Sequence, residues 1–256
     1  MAGKKDNGAS LAGQVSAAEW QLRVDLAAAY RMIAHLGWDD LIFTHLSVRL
    51  PGPEKHYLIN PFGLLFEEIT ASNLVKIGLD GSPVAPTNYP VNLAGFVIHG
   101  AIHEAREDAH CVLHIHTIEG MAVSAQKDGL LPITQTAMAL YGDVAYHDYE
   151  GIVLDQDEKQ RLIAALGVKH NLILRNHGLL TVGETVGEAF LRLFFLQKAC
   201  MAQVQAQAGG GPLIHCSKET SQRVAAQTVS GFPALGPMSW QAVVRKVERL
   251  DPGFAT

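Results

Sequence analysis

Apolar and polar positions fall into two rhythms along this chain, and their alternation lays out most of its elements. Across residues 17–36, Trp20, Val24, Ala27, Ala28 and Ile33 recur on one helical stripe, and Gly37 suits the C-terminal cap. Residues 42–50 alternate as a strand does, Pro51-Gly52-Pro53 turns the chain, and residues 56–60 return, which predicts a hairpin. Asn60-Pro61-Phe62-Gly63 is a further turn, Thr70 is placed to cap a short helix over 71–77, and Asp80-Gly81 marks a tight reversal. Residues 91–106 read as a helix with His99 and His103 at i, i+4, a pair expected on a solvated or intersubunit face.

Beyond it, 111–117 is a nearly continuous apolar strand, followed by a helix to about 126 and a loop through Pro132. A short strand over 144–151 runs into a polar turn, and Asp155 to Glu158 has capping-box spacing for another helix. A strand that begins at Leu172 and ends on His177, and another over 179–184, precede a long helix over 185–208, which Gly209-Gly210-Gly211-Pro212 breaks. Two weaker helical stretches follow. Strands and helices alternate irregularly, with hairpins early, so the expected fold is α/β: three α/β/α layers around a mixed, largely antiparallel sheet. The expected organisation is a disordered tail over 1–16, one domain over 17–208, and a glycine-rich break with a C-terminal helical extension over 209–256.

The candidate chemistry lies in two of these strands. In Cys111-Val112-Leu113-His114-Ile115-His116-Thr117, side chains at i and i+2 share a strand face, so His114 and His116 present two imidazoles together. A single histidine in such a strand is ordinarily a hydrogen-bonded core residue, but two need a partner each if buried. Thr117 can cap the helix that follows. The segment Leu172-Ile173-Leu174-Arg175-Asn176-His177-Gly178 ends a second buried strand on another histidine. Three neutral imidazoles with an open coordination position form a catalytic type of metal site.

Composition narrows the classes. The chain has 256 residues, of which 48% are hydrophobic and only 18% charged, enough for a large core and sparse in charge for a monomer. A homo-oligomer is therefore expected. A net charge of -5 without a basic cluster argues against nucleic acid or an anionic membrane as partner. Cys111, Cys200 and Cys216 match no metal-knuckle spacing and suit a reducing compartment. The first residues lack the apolar core of a signal peptide, and no apolar run is long enough to span a bilayer, so a soluble cytoplasmic protein is expected.

Taken in order, Pro61-Phe62-Gly63-Leu64-Leu65, Ile69-Thr70-Ala71-Ser72, His114-Ile115-His116-Thr117, Gly129-Leu130-Leu131-Pro132-Ile133, His147-Asp148-Tyr149 and the strand ending in Asn176-His177-Gly178 resemble the class II aldolase/adducin family, its adducin branch most closely. The likeness runs from about Trp20 to Gly210. It implies that His114, His116 and His177 hold a divalent metal ion, zinc first, with manganese, cobalt or iron as alternatives. It also implies a homotetramer with sites at subunit interfaces.

Departures from the sugar-phosphate aldolase branch bear on the substrate. Where that branch has a Ser-Ser-Glu run, this chain has Leu93-Ala94-Gly95; its Gly-Asn phosphate turn is Thr44-His45, and its Thr-Pro-Ser-Gly turn is Asn60-Pro61-Phe62-Gly63. The groups that hold a phosphate are thus largely missing, and neither a sugar-phosphate aldolase nor an epimerase is expected. Glu119, just past His116, is a candidate general base or fourth ligand, against the plain reading of a solvated helix-start glutamate. His147 falls near the position of a catalytic tyrosine in the resembling aldolases and is a candidate acid/base, against a structural turn at an interface. Asn60, Phe62, Tyr89 and Asn92 are candidate substrate contacts. The implied activity is a metal-dependent lyase on an unphosphorylated keto- or hydroxy-carboxylic acid, of decarboxylase or aldolase type. The rivals are a non-haem iron oxygenase acting on an aryl 2-oxo acid and a non-enzymatic, adducin-like oligomeric scaffold.

Overall fold

A seven-stranded sheet organises the chain in a computed structural model that describes residues 10–151 and 156–256. Its strands are β1 (His45–Arg49), β2 (Tyr57–Ile59), β3 (Val75–Ile77), β4 (Cys111–Ile115), β5 (Val144–His147), β6 (Asn171–Leu174) and β7 (Gly178–Gly183). They lie in the order β3-β2-β1-β4-β7-β6-β5, antiparallel throughout except for the β5–β6 pair.

The helices, among the described residues, are α1 (Ala17–His35), α2 (Leu93–Ala105), α3 (Ile118–Ser124), α4 (Gln135–Ala139), α5 (Gln156–Leu166), α6 (Val186–Ala208), α7 (Lys218–Val229) and α8 (Phe232–Leu250). Ser16 starts α1 by accepting the Glu19 N–H at 3.1 Å, and Gly37 leaves it at a φ of +68°.

Strand alternation sends side chains to two buried faces. Cys111, Leu113, Ile115, Ile173 and Leu179 join Leu26, Ile33, Phe190, Leu193 and Trp240 in the larger core, on the side of α1, α6 and α8. Val112, Leu172, Leu180 and Val182 face Ile98, Ile102, Leu162 and Leu166 of α2 and α5. These are the three expected layers.

The sheet topology gathers the site. Because β4 and β6 both run antiparallel to β7, and β5 runs parallel to β6, the C-terminal ends of all three strands emerge at one end of the sheet. The start of β1 and the end of β2 lie at that end too. His116, His147, His177, His45 and Asn60 therefore share one end of the sheet, although 132 positions separate His45 from His177 (177 − 45).

Several local expectations change. The helix expected over 71–77 is instead a turn over 71–73 that runs into strand β3, with a 3-10 turn, Phe66–Glu68, before it. Tertiary partners hold this backbone: the Arg23 guanidinium takes Ala71 O, a carbonyl the first turn of such a helix would use, and Leu74 O, while Ala71 N donates to Phe254 O at 2.8 Å and Ser72 N to Thr256 O at 2.9 Å. Helix α4, capped by Thr134, occupies part of the stretch between Pro132 and β5, to which the sequence pattern assigns no element.

His99 and His103 are not on a solvated face; they are buried between α2 and the sheet. Asp155, expected in a capping box, lies outside the described residues. Of the tail expected over 1–16, the described part is tied down where Leu11 N donates to Ser72 Oγ at 3.0 Å. The stretch after the glycine break adds Phe232, Trp240, Val247 and Phe254 to the larger core.

Candidate metal centre

β4 sits between β1 and β7, and its last buried residues bring the first two histidines to the sheet end. His114 is paired across the ladder with His45 on β1 and Leu180 on β7. His116 lies just past the strand. Thr117 then stops the extended run, its hydroxyl accepting the Gly120 N–H at 3.2 Å to start α3.

The third histidine arrives on the β6–β7 hairpin. Asn176 adopts a φ of +55°, a left-handed conformation that asparagine tolerates well, and His177 N closes the turn onto Leu174 O at 3.1 Å. Gly178 permits the approach, since a Cβ there would stand 2.6 Å from Ile115 O and 2.9 Å from His116 Cδ2.

The three rings form a nearly regular triangle. Ring centroids are 4.6 Å apart for His114–His116, 4.9 Å for His114–His177 and 4.7 Å for His116–His177. One nitrogen from each lies within 4.8 Å of the others, a grouping that, among the described residues, includes no carboxylate.

Hydrogen bonds decide which nitrogens face inward. His114 Nδ1 lies 2.9 Å from Leu179 O, and His116 Nδ1 lies 2.9 Å from Asp40 Oδ2. A carbonyl and a carboxylate can only accept, so both Nδ1 atoms carry a proton, and in its neutral form each ring presents Nε2 as a bare lone pair. Those two Nε2 atoms face each other at 2.9 Å. Two neutral rings so placed need a cation between them, either a proton shared by the two Nε2 atoms or a metal ion that both coordinate. The donor set therefore fits a divalent metal, with Asp40 and Leu179 fixing the rings from behind. Burial, then His116 and His177, hold His114 well below the usual imidazole range, and burial, then His116, lowers His177 to about 4. Both are neutral and ready to ligate.

His147 ends β5 with its side chain buried and its Nε2 without a hydrogen-bond partner among the described residues. It lines a cleft with His177, Tyr149 and Arg175, so the structure brings it beside the third histidine. Glu119 accepts a 3.1 Å hydrogen bond from Gln197 Nε2 on α6. Gln197, itself buried, also takes the Thr117 hydroxyl at 2.5 Å, and so ties the start of α3 to α6. Asn60 is buried with its Oδ1 2.8 Å from the Tyr30 hydroxyl. Phe62 N donates to Pro90 O at 2.9 Å, which joins the 60–63 turn to the segment carrying Tyr89 and Asn92 at the start of α2.

Asp40, Leu179 O and Gln197 are absent from the sequence reading. A carboxylate 76 positions from its histidine and a backbone carbonyl leave no local spacing to detect.

Comparison with known proteins agrees with this architecture. Residues 24–204 match the model of the Class II Aldolase and Adducin N-terminal domain. An aldolase II superfamily protein of Pseudomonas syringae superposes with a TM-score of 0.93 at 51% identity, covering 96% of this chain and 99% of that one. L-fuculose 1-phosphate aldolase of Glaciozyma antarctica superposes with a TM-score of 0.81 at 32% identity, covering 96% and 94%. Mouse alpha-adducin is 47% identical over 237 residues, 90% of this chain but only 32% of the adducin. Over nearly its whole described length, this chain is a member of the class II aldolase/adducin family.

Proposed function

We propose that the protein is a metal-dependent carbon–carbon lyase acting on an unphosphorylated keto- or hydroxy-carboxylic acid. The observation that carries this reading is the facing pair of Nε2 atoms on His114 and His116, with His177 closing the triangle. His114, His116 and His177 hold the ion, zinc in the first instance. When bound, the ion supplies a Lewis acid for a substrate oxygen and for the negative charge left on the cleaved carbon fragment.

The chain's own residues supply the rest. Asp40 and Leu179 O keep the two Nδ1 protons in place, so neither ring turns its N–H toward the centre. His147, with an unpartnered Nε2 in the cleft beside His177, takes or returns a proton at the reacting carbon or oxygen. Glu119 is a second candidate base whose carboxylate Gln197 holds. Phe62, Tyr89, Asn92 and Asn60 supply the walls for the organic part of the substrate.

The preference for an unphosphorylated substrate is supported by the engagement of Arg175 elsewhere and by the burial of Thr44 and His45. Arg175 directs its guanidinium to Gln126 O at 2.6 Å and stacks on Tyr146 at 4.3 Å. Thr44 and His45, at the place of the phosphate turn, are buried. Leu41 and Phe43 lie in the segment that starts at Asp40, Ile118 stands two residues past His116, and the Tyr149 ring lies 6.2 Å from that of His177; all four are exposed, Ile118 by 74%. Those apolar surfaces support assembly of a homo-oligomer, a tetramer on the family pattern, that covers the sheet end. Among the described residues no helix is long and apolar enough to cross a membrane.

The test is turnover by the zinc-loaded protein of a panel of 2-keto and hydroxy acids, followed as carbon dioxide or aldehyde release. Activity on at least one of them above that on L-fuculose 1-phosphate is expected. Preferential cleavage of the sugar phosphate would contradict the substrate reading.

A further inference from the structure

Behind the metal triangle, the layer between α2 and the sheet is unexpectedly polar. Around it the same layer is built from Val112, Ile98, Ile102, Leu180 and Val182. Yet His45, Ser47, His99 and His103 are all buried there, each at most 4% exposed. Apolar residues at those places would continue the layer without a polar atom to satisfy, so packing alone gives no reason for the cluster.

The hydrogen bonds in the cluster have one possible direction. His103 Nδ1 lies 2.7 Å from Ala109 O, a carbonyl, so Nδ1 is the donor. Burial lowers the His103 imidazole to about 3, partly offset by that bond, so the ring is neutral and its Nε2 only accepts. The Ser47 hydroxyl, 2.7 Å away, therefore donates to His103 Nε2. Having given its one proton, Ser47 Oγ accepts from His99 Nδ1–H at 2.7 Å. His99, held well below the usual range by burial and then by His45, is neutral as well. Its Nε2 is left as a buried acceptor with no partner among the described residues.

This fixed ring leans toward the metal centre. The His45 ring lies 4.1 Å from His99 and 5.7 Å from His114, centroid to centroid. His45 and His114 are also directly paired residues of adjacent strands. We propose that the chain Ala109 O–His103–Ser47–His99 locks His99 in one tautomer and, through His45, sets the orientation of metal ligand His114, making Ser47 and His99 positioning residues of the centre. The proposal rests on the metal reading of the three histidines.

The experiment uses the full chain with histidine labelled in nitrogen-15, first stripped of metal and then titrated with zinc against a chromophoric chelator. In the metal-free wild type, both His99 and His103 are expected as Nδ1–H tautomers by long-range nitrogen–proton correlation. Ser47→Ala is expected to release His99 from its single tautomer and to weaken zinc binding about tenfold, in the range for loss of outer partners of a metal ligand. His99→Leu, which removes the orphaned acceptor, is expected to melt no lower than wild type yet to show the same weakened zinc binding. His99→Asn, whose amide can still donate toward Ser47, is expected to recover most of the affinity.

Folded Ser47→Ala and His99→Leu proteins that bind zinc as tightly as wild type would overturn the positioning role alone. So would zinc losses that merely track falling melting temperatures across all the variants, including His99→Leu. A wild type that binds no zinc overturns the metal reading and this proposal with it, whatever the tautomers.

Discussion

Asp40 is the residue on which the geometry of the triad depends most and about which the sequence says least. His114, His116 and His177 stand out in the chain because polar rings in apolar strands need an explanation, and strand parity puts the first two together. Asp40 sits in an irregular segment beside Leu41 and Thr44, both at positive φ, and only the folded chain brings its carboxylate to His116 Nδ1. Asp40→Asn keeps the shape but replaces an acceptor-only group with an amide that can also present N–H. Metal affinity is expected to fall by roughly 10- to 100-fold with little change in melting temperature of the metal-free protein, measured by chelator competition and calorimetry. Unchanged affinity would show that His116 needs no such partner. The histidines of α2 taught the opposite lesson. Their i, i+4 spacing was plain, but periodicity does not say whether a polar face meets water or the serine of a neighbouring strand.

At the scale of elements, strands and long helices were legible and short or tertiary-determined pieces were not. The β1–β2 hairpin, the central strand, the His177 hairpin and α6 carry strong apolar patterns with turn or cap residues at their ends. Segment 71–77 carries a capping threonine and a helical look, yet Arg23 and the C-terminal residues claim its backbone groups. Helix α8 reads only as one of two weaker helical stretches, but it packs against α6 through Trp240. That contact depends on Gly187, where a Cβ would stand 2.5 Å from Trp240 Cβ. Gly187→Ala is therefore expected to destabilise the fold by about 1–3 kcal/mol through overpacking, read from denaturant unfolding, while the spectra of the metal-bound histidines stay unchanged. A neutral effect would mean that α8 shifts freely on α6.

For the whole molecule, the buried imidazoles predict a pH profile. His103 at about 3 and His177 at about 4 lie below the ordinary 6.5, and His99 and His114 are displaced in the same direction. Between those values and 6.5 the unfolded chain binds more protons than the folded one, so stability rises with pH across that window. Their contribution is complete above about 6.5 and is lost as pH falls toward 4 and 3, with a slope of up to about 1.4 kcal/mol per pH unit for each ring kept neutral. Unfolding of the metal-free protein followed from pH 7.5 to 4 is expected to show that fall; a flat profile would mean the rings charge without unfolding.

The sheet that buries these rings also carries the ends of β4, β5 and β6 to one place, and there the family likeness and the donor geometry agree. Elemental analysis of protein purified without a metal-affinity tag, beside a His114→Ala/His116→Ala variant, tests that agreement most directly. About one divalent ion per chain in the wild type, lost in the variant, is the predicted result. A wild type that carries no metal and takes up none on titration would contradict the account.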